Sequence, residues 1–157
     1  MEHRWQTTNF AGLGTDSLYR LLQLRQDVFV VEQACIYRDL DDLDLDATHM
    51  LCWQGDELWA YQRCLRPGLS FPESSLGRIV VDSKGRGTGL GRELVTRGIE
   101  HNLRQWPGEG IRINAQSYLR GFYLDLGFKP IGEEYDEDGI MHQQMLYDPE
   151  LRSPAER

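Results

Sequence analysis

The chain is short of several features that would place it outside the ordinary globular proteins. It has no run of ~18 apolar residues, which excludes a membrane-spanning helix. The opening segment MEHRWQTTNF has no apolar centre of the kind a secretory signal carries, so a cytoplasmic location is expected. Cysteine is scarce: Cys35, Cys52 and Cys64 form an odd set without C-x-x-C spacing, which argues against a disulfide framework and against a zinc site. Positive charge is also in short supply. Lys and Arg number 17 against 25 Asp and Glu, a formal net charge of -8, so the chain as a whole lacks the basic face that nucleic-acid binding requires. A cationic or small neutral partner is easier to accommodate.

What remains is an ordinary soluble composition, 40% apolar and 27% charged, without internal repeat or low-complexity segment. The 157 residues suit one domain burying roughly two thirds of its unfolded surface, taken as residues 1–148 with a polar tail over 149–157. The pattern predicts a first strand over 3–10, then a helix opened by Thr15 as N-cap, with Leu18, Leu21, Leu22, Val28 and Phe29 on one face. Arg25 falls on that face, either with its stem over the core and its head in water or paired internally with Glu32 or one of the aspartates that follow. Those aspartates, at 39, 41, 42, 44 and 46, read as a solvated acidic loop or as a rim attracting a cation. Calcium is excluded at Asp42, because Ala47 and Trp53 stand where an EF-hand needs glycine and glutamate.

From His49 onward, HMLCWQ, LWAYQRCL and SLGRIVVD read as an antiparallel meander. A helix over Leu90, Leu94, Val95, Ile99 and Leu103 follows, then a strand at IRINAQ and a helix at YLRGFYLDLGF closed by Gly127. A final strand pair turns at Glu137-Asp138-Gly139. The order implies an α/β fold with a mixed central sheet flanked by helices.

The segment IVVDSKGRGTGLGRELV has four glycines between Gly85 and Gly91, joining a β-branched run to a helix. Such a turn directs free N–H groups and the positive end of the helix dipole at one point, which suits a phosphate. A dinucleotide fingerprint begun at Gly85 fails because Leu90 stands where its third glycine belongs, and no Walker ending occurs. Arg86-Gly87-Thr88-Gly89-Leu90-Gly91 does fit R-x-x-G-x-G, and it resembles the acetyl-CoA pyrophosphate loop of the GNAT N-acetyltransferases. About thirty residues later FYLDLGF is similar to that family's FYxxxGF helix, and the element order agrees along nearly the full chain. In the N-terminal half, LRQDVFVVEQACIYRDLDDLD followed by THML resembles the ElaA-type branch of the family.

The resemblance implies the GNAT acyl-CoA N-acyltransferase fold and transfer of an acetyl group from acetyl-CoA to an amine of a small molecule or peptide by direct attack. It implies that Ile79, Val80 and Val81 offer backbone groups to the pantetheine arm, and that the amides of Gly87, Thr88, Gly89, Leu90 and Gly91 hold the pyrophosphate with Arg86 as charge partner. No metal is needed. Gln116 stands where many relatives carry asparagine, as a further cofactor contact, and Leu119 where they carry alanine. Tyr123 matches the tyrosine that faces the leaving sulfur. For the acceptor's proton, Glu32 is the first candidate base and His49 the second. Their structural alternatives are an Arg25 partner and a strand residue. A non-catalytic acyl-CoA-binding module and an acyl-homoserine-lactone-synthase-like acyltransferase are the rival functions. The expected partners are acetyl-CoA and an amine acceptor, neither nucleic acid nor membrane. Oligomeric state is left open, a homodimer included.

Overall fold

The computed structural model describes residues 2–149, so nearly all of the expected tail lies outside the described residues. Strands β1 (Arg4–Asn9), β2 (Thr48–Gln54), β3 (Glu57–Leu65), β4 (Ser74–Val81), β5 (Ile111–Gln116), β6 (Lys129–Glu137) and β7 (Ile140–Tyr147) form one sheet. Its order is β1-β2-β3-β4-β5-β7-β6, with β4 and β5 parallel and every other neighbour antiparallel. Helices α1 (Gly14–Arg25), α2 (Leu90–Gln105) and α3 (Arg120–Asp125) flank it. The mixed α/β sheet expected from the element order is therefore present.

The apolar runs explain why both faces are covered. In β2, Met50 and Cys52 join the cluster under α2 and α3, while Leu51 and Trp53 join Leu21 and Leu24 of α1 in a second cluster. Alternation along the strand sends successive side chains to opposite faces, so a continuous apolar strand needs a layer on each. Leu90, Leu94, Val95 and Ile99 bury the inner face of α2 as their spacing predicts. That helix comes close to β3 at Gly98, where a Cβ would stand 2.5 Å from the Gln62 amide nitrogen. Gln62 Nε2 in turn donates to the Leu94 carbonyl at 2.6 Å.

One irregularity shapes the molecule. Between the pairs Arg63↔Gly77 and Tyr61↔Val80, β4 holds one residue more than β3, a bulge in which Arg78 has φ of 50°. β4 pairs with β5 only at Ser74↔Ile111 and Ser75↔Arg112. That end is pinned by Asn102 Nδ2, which donates to Ser74 Oγ at 3.2 Å and to the Ser75 carbonyl at 3.0 Å, and by Ser74 Oγ, which donates to the Gly110 carbonyl at 2.8 Å. Beyond it the two strands diverge and leave a wedge-shaped opening.

Three local readings need correction. Thr15 is not an N-cap: α1 begins at Gly14 after Leu13, without a side-chain cap. The helical run expected through Val28 and Phe29 is not α throughout: after Arg25 it widens into a π-helical stretch, Gln26–Glu32, with Gln33 N–H donating to the Val28 carbonyl at 3.0 Å and Cys35 N–H to Val30 at 3.0 Å. The helix carrying FY is shorter than its pattern, with a 3-10 turn over Ser117–Leu119 before α3. The last hairpin turns through Asp138 and Gly139, both at positive φ, as a two-residue primed turn requires.

Candidate active site

The opening between β4 and β5 is the head of a cleft of ≈ 1040 Å³. At one end stands the glycine-rich turn. Gly87 and Gly89 have φ of 77° and 86°, and nothing lies within 4 Å of where a Cβ of either would stand. Glycine is needed there for conformation, and the space above the backbone is open. Gly89 is also the residue before α2, so the first amides of a 16-residue helix face that space without intrahelical partners. An anion meets N–H groups and a helix dipole at one point.

The second wall is β4. Asp82 N–H donates to the Trp59 carbonyl of β3 at 2.8 Å. Because amides alternate along a strand, that of Val80 turns to β3 as well, and that of Val81 turns to the vacant β5 side. With β5 diverging, this edge offers hydrogen bonds to an extended, amide-bearing chain. Ile79, Val80 and Val81 all line the cleft.

Arg86 is anchored: its Nε donates to the Val81 carbonyl at 3.0 Å, and its Nη2 lies 2.9 Å from Glu32 Oε2. Leu90 is buried in the core under α2, so only its backbone can serve a ligand. Thr88 Oγ1 donates to the Gly85 carbonyl at 2.5 Å and so stiffens the turn. Gln116 closes the end of β5 and meets Gln33 across the cleft, with its Nε2 3.3 Å from Gln33 Oε1.

Tyr123 lines the cleft from α3 and is 5% exposed. Its ring makes edge contacts with Phe122 and Phe128 at centroid distances of 5.1 and 5.8 Å. Burial, with a smaller contribution from Tyr118, pushes its phenol well above the ordinary tyrosine range, so the group is a hydroxyl at any working pH.

The base candidates fare differently. Glu32 lies at the cleft but pairs with Arg86, not with Arg25 as one reading supposed. His49 is fully buried and does not line the cleft. Its Nε2 lies 2.8 Å from the Asp44 carbonyl and must donate; its Nδ1, 2.7 Å from Tyr61 Oη, must accept. Burial lowers its pKa, and both ring nitrogens are committed, so the expectation of His49 as a base is corrected to a core histidine.

The acidic segment is only partly solvated: Asp42 and Asp46 are exposed, while Asp39, Asp41 and Asp44 are engaged by arginines. Fully buried Arg25 pairs with Asp39 and Asp44, each at 2.8 Å. Arg63 pairs with Asp41 at 2.5 Å and Asp44 at 3.0 Å. Arg78 Nε lies 2.7 Å from Asp39 Oδ1 without its N–H aimed at that oxygen, and Nη2 donates to the Asp39 carbonyl at 2.7 Å. Burial opposes charge on Asp41, but the hydrogen bonds and charge of Arg63, with Arg78 behind, hold its carboxyl down at about 2. Asp44 is lowered in the same way by Arg25 and Arg63. Of this network Asp39, Asp41, Arg63 and Arg78 line the cleft, together with Tyr37 and Arg38, while Arg25 and Asp44 lie behind them.

Sequence reading missed part of the lining. Arg92, the third residue of α2, lines the cleft and pairs with Asp125. Tyr135 of β6 donates to Asn114 of β5, and His142 of β7 lies beside it. The polar, alternating pattern of β5 to β7 was a signal for such a face, but it does not reveal which strands pair.

Comparison with known proteins agrees with this geometry. Residues 23–148 match the family described as Acetyltransferase (GNAT) domain. The chain is 41% identical to the protein ElaA of Escherichia coli over 140 residues, which is 88% of this chain and 92% of that one. The crystal structure of ElaA superposes with a TM-score of 0.88 at 39% identity, covering 94% of this chain and all (100%) of that one. An acyl-CoA N-acyltransferase from Pseudomonas aeruginosa gives 0.87 at 38% identity, with 92% and 99% covered.

Proposed function

The chain belongs to the GNAT acetyltransferase family, in company with ElaA, and from that premise we propose that it moves the acetyl group of acetyl-CoA directly to an amine. The observation that carries this reading is the meeting of two backbone devices in one cleft. The vacant β4 edge at Ile79–Val81 suits the amides of a pantetheine arm, and the α2 N-terminus with Gly87 and Gly89 suits its diphosphate. Arg86 and Arg92 add charge at the same end.

In this reading a β4 edge amide donates to the thioester carbonyl oxygen and stabilises the negative charge that grows there on attack, a contribution of ~3 kcal/mol for one well-aimed donor. The raised phenol of Tyr123 is too weak an acid for easy full proton transfer, so it hydrogen-bonds to the departing sulfur. Cys52 and Cys64 cannot carry an acyl-enzyme, because both are buried, with thiols pushed up to about 11 and about 12. Cys35 is half-buried at the cleft lining but lies outside the glycine turn and the FY helix, and direct attack is the reading adopted. The acceptor reaches the acetyl carbon from the far end of the cleft, past Tyr37 and Gln116.

The test is a thiol-release screen with acetyl-CoA against peptide N-termini, lysine, polyamines and aryl-alkylamines, with a thermal-shift titration of coenzyme A. Support is a raised melting temperature and release that depends on one amine class. Stabilisation by coenzyme A without release from any amine would favour a binding module, and neither would remove the reading.

A further inference from the structure

Because His49 lies in the core and Glu32 engages Arg86, the acceptor's proton needs another receiver, and the cleft lining contains one. His142 is on β7 directly opposite Gln116 of β5, so the two side chains share one face of the sheet. Both line the cleft that holds Tyr123 and the β4 edge. His142 Nδ1 lies 2.7 Å from the Ile140 carbonyl, an acceptor only, so Nδ1 carries the hydrogen. Nε2 of the neutral ring then keeps its lone pair. It stands 3.6 Å from Glu137 Oε2, too far for a hydrogen bond but well placed for a carboxylate to meet a proton arriving on Nε2. Glu137 is held by Asn114 Nδ2 at 2.9 Å. The pattern of a base whose tautomer is set by one acceptor and whose charged form is met by a carboxylate is that of a general base.

We infer that His142 is the base that takes the proton of the acceptor amine, with Glu137 as its positioning residue; this rests on the acyl-transfer reading above. Nε2 takes one proton from the arriving ammonium, and the freed nitrogen lone pair forms the C–N bond. The C–S bond breaks with its electron pair on sulfur, and the second nitrogen proton passes to that sulfur, beside the Tyr123 hydroxyl. The amide keeps the third hydrogen, and His142 returns its proton to solvent. Among the described residues the charged or titratable groups in contact with the His142 ring are Glu137 and Tyr135 on β6, while its neighbour on β5 is the uncharged Gln116.

Two measurements test it. Nitrogen NMR of the imidazole in the full chain reads the tautomer without any acceptor: a neutral His142 with its hydrogen on Nδ1 is expected, and a hydrogen on Nε2 overturns the inference. With acetyl-CoA and either ethylamine or 2,2,2-trifluoroethylamine as acceptor, H142Q is expected to lose 10²-fold or more with the first, which arrives protonated, and far less with the second, which does not. E137Q should lower kcat with ethylamine about tenfold while leaving KM for acetyl-CoA unchanged, and E137D should restore part of the loss. Equal loss with both amines would leave His142 a structural role only. If the thermal shift by coenzyme A is lost in the wild-type chain, the acyl-transfer reading itself fails; if that shift persists in H142Q while the rate with ethylamine is unchanged, only this inference does.

Discussion

Arg86 Nη2 lies 2.9 Å from Glu32 Oε2 at the edge of the cleft, with both side chains partly open to solvent. The pair joins the end of the π-helical stretch to the glycine-rich turn, 54 positions later in the chain (86 − 32). A solvent-exposed pair of this kind contributes at most ~1 kcal/mol to stability, so its importance lies in where it holds the guanidinium. E32Q should leave the turnover number within a few-fold of wild type, whereas R86A should weaken coenzyme A binding about tenfold, ~1.4 kcal/mol. Steady-state kinetics and calorimetry check both. A hundredfold fall in turnover for E32Q would restore Glu32 as the base.

Tyr123 lines the cleft and packs its ring against Phe122 and Phe128. Y123F keeps the ring, so the melting temperature and coenzyme A affinity should hold while thiol release slows by ~10- to 100-fold. Parallel thermal-shift and thiol-release measurements separate the two roles.

The arginine and aspartate network makes stability depend on acid. Asp41 and Asp44 have folded pKa values below the unfolded value of ~3.9. Their contribution is therefore complete above that pH and is lost as pH falls through the folded values, about 2 for Asp41. Urea denaturation at a series of pH values should show wild-type stability falling from about pH 4 to about pH 2, and falling less steeply in D41N. Identical slopes would contradict the assignment.

Gly98 is required by packing rather than by backbone conformation. A Cβ there would lie 2.5–2.9 Å from the Gln62 amide group, which is buried and bonded to the Leu94 carbonyl. G98A should cost about 1–3 kcal/mol in equilibrium unfolding, as overpacking of a filled interior does. G98A at wild-type stability would show that Gln62 can move aside.

The parts of this site that were legible are those written in consecutive residues. Gly87, Gly89 and Gly91 announce a turn and a helix start, and FYLDLGF announces the helix with Tyr123, because local spacing sets local conformation. What was illegible depends on pairing between distant segments. Arg25 and Asp44 are 19 positions apart, and five aspartates in one segment gave no means of telling which would be buried. His142 is a single histidine in a strand of mixed polarity, and only the register Gln116↔His142 puts it beside the cleft. His49 misled for the same reason: its neighbours in space, Tyr61 and the Asp44 carbonyl, engage both ring nitrogens. The bulge at Arg78 had one local signal, Gly77 inside the strand run SLGRIVVD, which does not say which neighbour is the extra residue.

The central claim is that the vacant edge of β4 and the first amides of α2 hold one acyl-CoA between them. The most direct measurement is an amide NMR titration of the full chain with coenzyme A. The account predicts that the resonances of Val81, Gly87, Gly89, Leu90 and Gly91 move together and saturate at one ligand per chain. Saturable binding that leaves those amides unmoved, or no binding at all, would contradict it.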